Sequence, residues 1–214
     1  MSSSTVDYTG QRPRTRRQAE KEQRYRNLLE AAGRLFGTHG YASVTLDDIG
    51  SSVGVSGQAI YRHFKGKQDL LGHLLVEVSA GLLEGAQQIQ AEEADIEQRI
   101  DRLVAFHVDF ALSSPEIIRV QEQEMLQLLE ADQRRVRRMQ REYIRIWTQV
   151  LGTIHPQASR IQLRTRIHGI FGLINSTAHS LKHSYGDPPS PEEAAEISFT
   201  LTSMARATIE CTAL

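Results

Sequence analysis

Apolar residues recur every three or four positions along almost the whole chain, and this spacing constrains the fold more than any other feature. Leu70, Leu71, Leu74, Val78, Leu82 and Ile89 follow it, as do Val136, Met139, Tyr143, Ile146, Val150 and Ile154. Such a pattern puts one apolar stripe on each helix and obliges that stripe to meet another helix. Period-two alternation with turn chemistry, the signature of a strand, is not found. Start signals punctuate the pattern: Thr45 with Asp48, Asp95 with Gln98, Ser114-Pro115-Glu116, and Ser190-Pro191-Glu192-Glu193. Gly40, Gly54 and His155-Pro156 supply stops. The reading is an all-α fold of about nine helices.

With 214 residues the chain can bury one substantial core, or one core plus a small module. No apolar run approaches the ~18 residues of a membrane span. The arginine-rich start has no apolar segment of the secretory kind. A single cysteine, Cys211, excludes an internal disulfide framework and fits a reducing, cytoplasmic setting. The net charge of −1 conceals an asymmetry, because residues 1–67 carry 11 Lys and Arg against 6 Asp and Glu, whereas residues 68–214 carry 14 against 20. A basic front on an acidic body points to a polyanionic partner for the front alone.

That front divides into a polar, basic arm over residues 1–17, expected to be disordered, and a first helix from about Gln18 to Thr38. Two short helices follow, one from Thr45 to Gly54 and one from Ser56 to Phe64, joined by a glycine-bearing turn. Short paired helices in a basic segment are the pattern of a helix-turn-helix, whose second member enters the major groove of DNA. Val55 and Ile60 are expected to face inward. The outward face then offers Gly57, Gln58, Ala59, Tyr61, Arg62 and His63. Tyr61 and His63 suit phosphate oxygens, and Gln58 and Arg62 can reach base edges. Phe64 is assigned to the core. Arg12, Arg14, Arg16 and Arg17 form either an arm along the DNA backbone or a solvated tail.

The stretch "VTLDDIGSSVGVSGQAIYRHFKGKQDLL", residues 44–71, resembles the N-terminal signature of the TetR family of bacterial one-component repressors. The likeness lies in the short "T-x-x-x-I" helix, the "G-V-S" turn, the "Y-R-H-F" recognition segment and the lysine that opens the next helix. It implies DNA contacts at Thr45, Gln58, Ala59, Tyr61, His63 and Lys67, with Lys67 on a phosphate. It also implies a DNA-binding domain of three helices over residues 18–66 and a ligand-binding and dimerisation domain over residues 67–214. The function implied is a repressor that a small-molecule effector, such as a lipid or acyl-CoA-like compound, releases from a palindromic operator in double-stranded DNA. A protein of this fold acting without such an effector, architecturally or through a protein partner, is the alternative.

In the second half, polar or aromatic residues on otherwise apolar faces are the candidates for lining a ligand pocket. They are Phe106, His107, Phe110, Met125, Tyr143, Trp147, His168, Phe171 and Asn175. Arg134, Arg138, Arg141 and Arg145 form one stripe, flanked by Arg135 and Arg137. The stripe is either a solvated face or a grip for a phosphorylated or coenzyme A-linked effector. The last two helices are apolar over much of their circumference. Ile161, Ile167, Ile170, Phe171, Ile174, Ala178 and Leu181 lie on one; Ala194, Ile197, Phe199, Leu201, Met204, Ala205 and Ile209 lie on the other. Excess apolar surface of this kind predicts a two-fold homodimer through these helices. His179 and His183 have metal-ligand spacing, but no third ligand or general base accompanies them. No phosphate-binding glycine loop occurs either. Neither a metal, a cofactor nor an enzyme activity is expected.

Overall fold

The computed structural model describes residues 16–185 and 189–211, apart from the side chains of residues 179 and 182–185. Residues 1–15 of the arm expected over residues 1–17, with Arg12 and Arg14, lie outside the described residues. Nine α-helices and one turn of 3-10 helix, with no strand, make up the described residues. They are α1 (Arg16–His39), α2 (Leu46–Ser52), α3 (Gly57–Ile60), α4 (Lys67–Glu92), α5 (Ile96–Ser113), α6 (Pro115–Gln123), α7 (Glu130–Ile154), α8 (Arg160–Tyr185) and α9 (Pro191–Glu210). The all-α expectation therefore holds. Because α1 begins at Arg16, Arg16 and Arg17 are helical rather than part of an arm.

The start signals close as their chemistry requires. The Asp48 N–H donates to Thr45 Oγ1 at 3.1 Å, and the Thr45 N–H donates to Asp48 Oδ2 at 2.8 Å. Ser190 and Glu193 repeat this reciprocal cap on α9. Asp95 caps α5 by accepting the Gln98 N–H at 2.9 Å. At α6 proline occupies the first turn, while the Ser114 side chain makes no capping bond.

Helix α3 is shorter than the sequence predicts. Beyond Ile60 the Arg62 and His63 N–H groups donate to the carbonyls of Ala59 and Ile60, three residues back, at 3.2 and 2.8 Å. The chain thus tightens into a turn that still delivers Phe64 to the core. Gly54, at φ 72, gives the left-handed bend between α2 and α3. Gly50 lets α2 touch that bend, for a Cβ there would lie 2.6 Å from the Val55 carbonyl oxygen.

Two buried clusters form the interior. The first joins Leu28, Phe36, Val44, Ile49, Ile60 and Phe64 to Leu70, Leu71, Leu74 and Leu75 of α4, and to Val120, Leu128, Val136 and Met139. The second contains Ala86 and Ile89 of α4 with residues of α5, α7, α8 and α9. Thus α4 runs through both, and the expected boundary at residues 66–67 falls inside the first cluster. Helix α7 lies along α4 from Asp132 beside Gly72 to Gln149 beside Gln90.

The last two helices spend most of their apolar residues within the chain. Ile167, Ile170, Ile174, Leu201, Ala205 and Ile209 are all buried, and Ala178 nearly so. Ile161, Phe199 and Met204 remain exposed, at 78%, 72% and 45%. The residual apolar face is therefore narrower than the sequence alone suggests, and Ile174 is not on it.

Candidate functional site

The reading end of the molecule is the turn that closes α3. Gln58, Tyr61 and Arg62 are exposed there, while Ala59 and His63 are half-buried. Gly57, expected to face outward, is instead buried against α2, where a Cβ would sit 1.9 Å from Asp47 Oδ1. Its role is to let α3 lie close to α2. Ile60 is fully buried and Val55 partly so, as expected.

Two expected contacts are already engaged within the fold. The Lys67 ammonium donates to the carbonyls of Tyr41 and Val44, each at 2.9 Å, and lies 4.4 Å from the Tyr41 ring centroid. It therefore clamps the α1–α2 connection within the fold. The Thr45 hydroxyl donates to Asp48 Oδ2 at 2.6 Å and serves the cap of α2. That bond is the main reason the Asp48 carboxyl sits below its ordinary pKa.

Two basic residues that the sequence reading passed over stand beside the reading end. Lys21 and Arg24 of α1 lie close enough to His63 to act on its charge. Burial first, then Lys21, Arg24 and Arg62, hold the imidazole below its ordinary pKa. Arg17, Lys21 and Arg24 recur at helical spacing on one face, a signal legible in the sequence. Tyr25, on the same helix, joins the reading end to α4. Its ring stacks on Phe64 at 5.3 Å, and its hydroxyl donates to Glu77 Oε1 at 2.7 Å and sits 3.0 Å from His73 Nδ1.

A second candidate site lies in the other core. His107 of α5, Tyr143 and Trp147 of α7, and Phe171 of α8 gather their rings there. His107 stacks on Phe171 at 4.3 Å, and Trp147 meets Phe171 edge-on at 5.3 Å. Phe110 borders the group, 6.3 Å from His107. His107 Nδ1 and Tyr143 Oη are 3.0 Å apart. Burial lowers the His107 pKa to about 4, partly opposed by the nearby Asn175 side chain, and burial raises that of the Tyr143 phenol. Even so, His107 Nε2, Trp147 Nε1 and Asn175 Oδ1 are buried without a well-formed hydrogen bond. Three such atoms in one cluster are unusual in a finished core. Asn175 also lines a cleft of about 240 Å³ between α6 and α8, with Arg119, Glu122 and Ser176.

The structure does not bring the remaining candidates to this cluster. Phe106 turns toward Gly85 of α4 and lines a separate cleft with Arg102 and Asp109. Met125 packs against the first core. His168 is exposed on α8. Helical spacing ranks residues by face but does not say which core a face meets. The arginines of α7 are all exposed, with Arg134 paired to Glu130 and Arg145 to Glu142 at 2.7 Å. The side chains of His179 and His183 lie outside those described. Among the described residues no cluster could hold a metal ion, and no helix is long and apolar enough to cross a membrane.

A short-helix reading unit with a basic flank, set on a helical body, defines a helix-turn-helix protein. Residues 28–74 match the family model described as bacterial regulatory proteins, tetR family, which supports assigning the chain to those regulators. It is 29% identical over 101 residues to a nucleoid occlusion factor, SlmA, of Marinomonas sp., covering 47% of this chain and 51% of that protein. It is 27% identical over 94 residues to the transcriptional repressor NicS of Pseudomonas putida, covering 44% of each. The aligned region thus spans about half the length of these curated relatives. The fold extends further: a TetR-family transcriptional regulator from Bordetella parapertussis superposes with a TM-score of 0.71 at 21% identity, covering 88% of this chain and 93% of that one.

The buried neutral His107 has a consequence for stability. Its folded pKa lies below its unfolded value, so the unfolded chain binds the extra proton between about pH 6.5 and 4 and stability falls as pH drops through that window. Replacing it by His107→Gln should flatten that limb, removing on the order of 3 kcal/mol of acid sensitivity. Urea titrations of both proteins at pH 7, 5.5 and 4 measure it.

Proposed function

We propose that this protein is a dimeric DNA-binding transcriptional regulator, most simply a repressor, whose grip on a palindromic operator responds to a small-molecule effector. The observation that carries the reading is the exposed set Gln58, Tyr61 and Arg62 at the end of α3, flanked by Lys21 and Arg24. Arg62 and Gln58 supply the base-reading donors, and Tyr61 with the two α1 cations holds the phosphates. Ala59 and His63, half-buried, come close to the duplex without leading the contact. A basic segment on an acidic body limits the DNA to this end.

Homodimerisation is read from the exposed face of α8 and α9. Phe199 and Met204 stand there beside the exposed Gly169, Gly172, Ser176, Ala195 and Ala207. Small residues around two large apolar ones suit close packing of α8 and α9 against a second copy. Two-fold symmetry would then place the reading ends about 34–36 Å apart on one face of the duplex. The effector site is read from His107, Tyr143, Trp147, Phe171 and Asn175, with Phe110 at its edge. The α7 arginines lie on the opposite face of their helix from Tyr143 and Trp147, so they do not serve as its anion grip.

Selection from randomised duplexes tests the DNA reading. Arg62→Ala should relax preference at one operator position, at a cost of about 1–3 kcal/mol, whereas Tyr61→Phe should weaken all sequences alike. An unchanged preference in the Arg62 variant would remove it from the readout. For the dimer, Phe199→Arg combined with Met204→Arg should sediment as a folded monomer with weakened affinity for the palindrome. A variant that stays dimeric would place the interface elsewhere.

A further inference from the structure

The imidazole of His63 is held at the reading end by packing alone. Its ring is half-buried, 6.3 Å from the ring of Tyr25 and 6.1 Å from that of Phe64. No described residue hydrogen-bonds to its ring nitrogens. The side chain is thus oriented by its neighbours while its polar atoms are uncommitted.

The charges that face it are mostly of one sign. Lys21 and Arg24 of α1 flank Tyr25 in sequence, and Arg62 precedes His63 in the same turn. On the α4 side stands His73, whose ring is 5.4 Å from that of Phe64. The carboxylates near it are engaged elsewhere: Asp69 accepts the Lys65 N–H at 2.8 Å and lies 3.9 Å from His73, and Glu77 accepts the Tyr25 hydroxyl at 2.7 Å. A proton on His63 is therefore opposed by burial and by three cations, and no described carboxylate pairs with it.

A backbone phosphate drawn to Lys21 and Arg24 would come to rest beside this ring and reverse the balance. Its charge offsets the repulsion of the cations, and its oxygens accept a ring N–H most strongly when the ring is protonated. Contact with DNA also buries the ring further, which opposes the proton. That loss is the smaller effect for a ring already half-buried, because the phosphate brings a full negative charge within contact distance.

We propose that His63 is a proton-linked contact of the DNA interface, taking up a proton as a backbone phosphate docks, so that the complex tightens as pH falls. The inference rests on the DNA reading above and adds a pH dependence assigned to one residue. Linkage fixes its sign: the complex holds more protons than the free protein. Affinity therefore rises as pH drops through the imidazole range of the complex, and levels off once the free protein is protonated as well.

A mixed-sequence duplex at low salt is the probe, because phosphate contacts are independent of sequence. Titrated against the full-length protein, it should bind roughly threefold to tenfold more tightly at about pH 5.5 than at about pH 8. Calorimetry at about pH 6.5, in two buffers of different ionisation enthalpy, should report net proton uptake. His63→Gln keeps an uncharged polar side chain and should bind like the wild type near pH 8 but lose both the acid gain and the proton uptake. His73→Gln should keep both. A side chain that only fills space would lower affinity equally at every pH, and circular dichroism melts check that each variant is folded. An unchanged pH slope in folded His63→Gln, a slope lost in His73→Gln instead, or no net proton uptake by the wild type would overturn the proposal. A duplex bound with a flat pH profile would overturn it and leave the DNA reading standing, whereas no duplex binding at any pH would defeat both.

Discussion

Everything in this molecule hangs on one helix that belongs to two interiors. The first turns of α4 bury Leu70, Leu71, Leu74 and Leu75 among α1, α2 and α3, and its later turns bury Ala86 and Ile89 among α5 and its neighbours. A short reading unit such as α2 and α3 offers too little apolar surface to stand alone, so it borrows α4 to close its core. Lys67 fixes the entry of that helix by drawing three backbone carbonyls of the α1–α2 connection onto one ammonium. Tyr25 fixes it from the other side, stacked on Phe64 and bonded to Glu77. A shift of α4 is therefore felt directly at His63 and Phe64, the residues that bound the reading turn.

Helix positions were readable because their signals are local. Thr45 and Asp48, Asp95 and Gln98, and Ser190 and Glu193 each satisfy N–H groups within one turn, so the sequence alone specifies them. The reading segment was legible for the same reason, since Tyr61, Arg62 and Phe64 alternate outward and inward around a single tight turn. The carbonyl contacts of Lys67 were not legible, because a lysine at a helix start looks the same whether it meets a phosphate or a carbonyl. Only the fold shows that Tyr41 and Val44 turn their carbonyls toward it. Gly57 is similar: a small residue permits close approach on either side, and here the close neighbour is Asp47.

The second core shows the limit of periodicity more plainly. His107, Tyr143, Trp147 and Phe171 come from three helices far apart in sequence, and their common point was expected only in outline. Phe106, one position from His107, points elsewhere, because adjacent residues on a helix are about 100° apart. What marks this cluster is three buried polar atoms without a well-formed hydrogen bond, which no sequence pattern reports. The reading end and this cluster lie in different cores, joined through α4 and through α7 alongside it. A change at the cluster is felt first by α5, α7 and α8, and at the reading turn only through those shared helices.

The central claim, that α4 ties the reading unit and the body into one cooperative structure, is tested most directly by native-state hydrogen exchange along that helix. The account predicts that amides at Leu71 and Leu74 and those at Ala86 and Ile89 open with a common free energy and a common dependence on denaturant, together with the core amides of α1. Separate opening of α1 to the first half of α4, at a free energy well below that of Ala86 and Ile89, would contradict it.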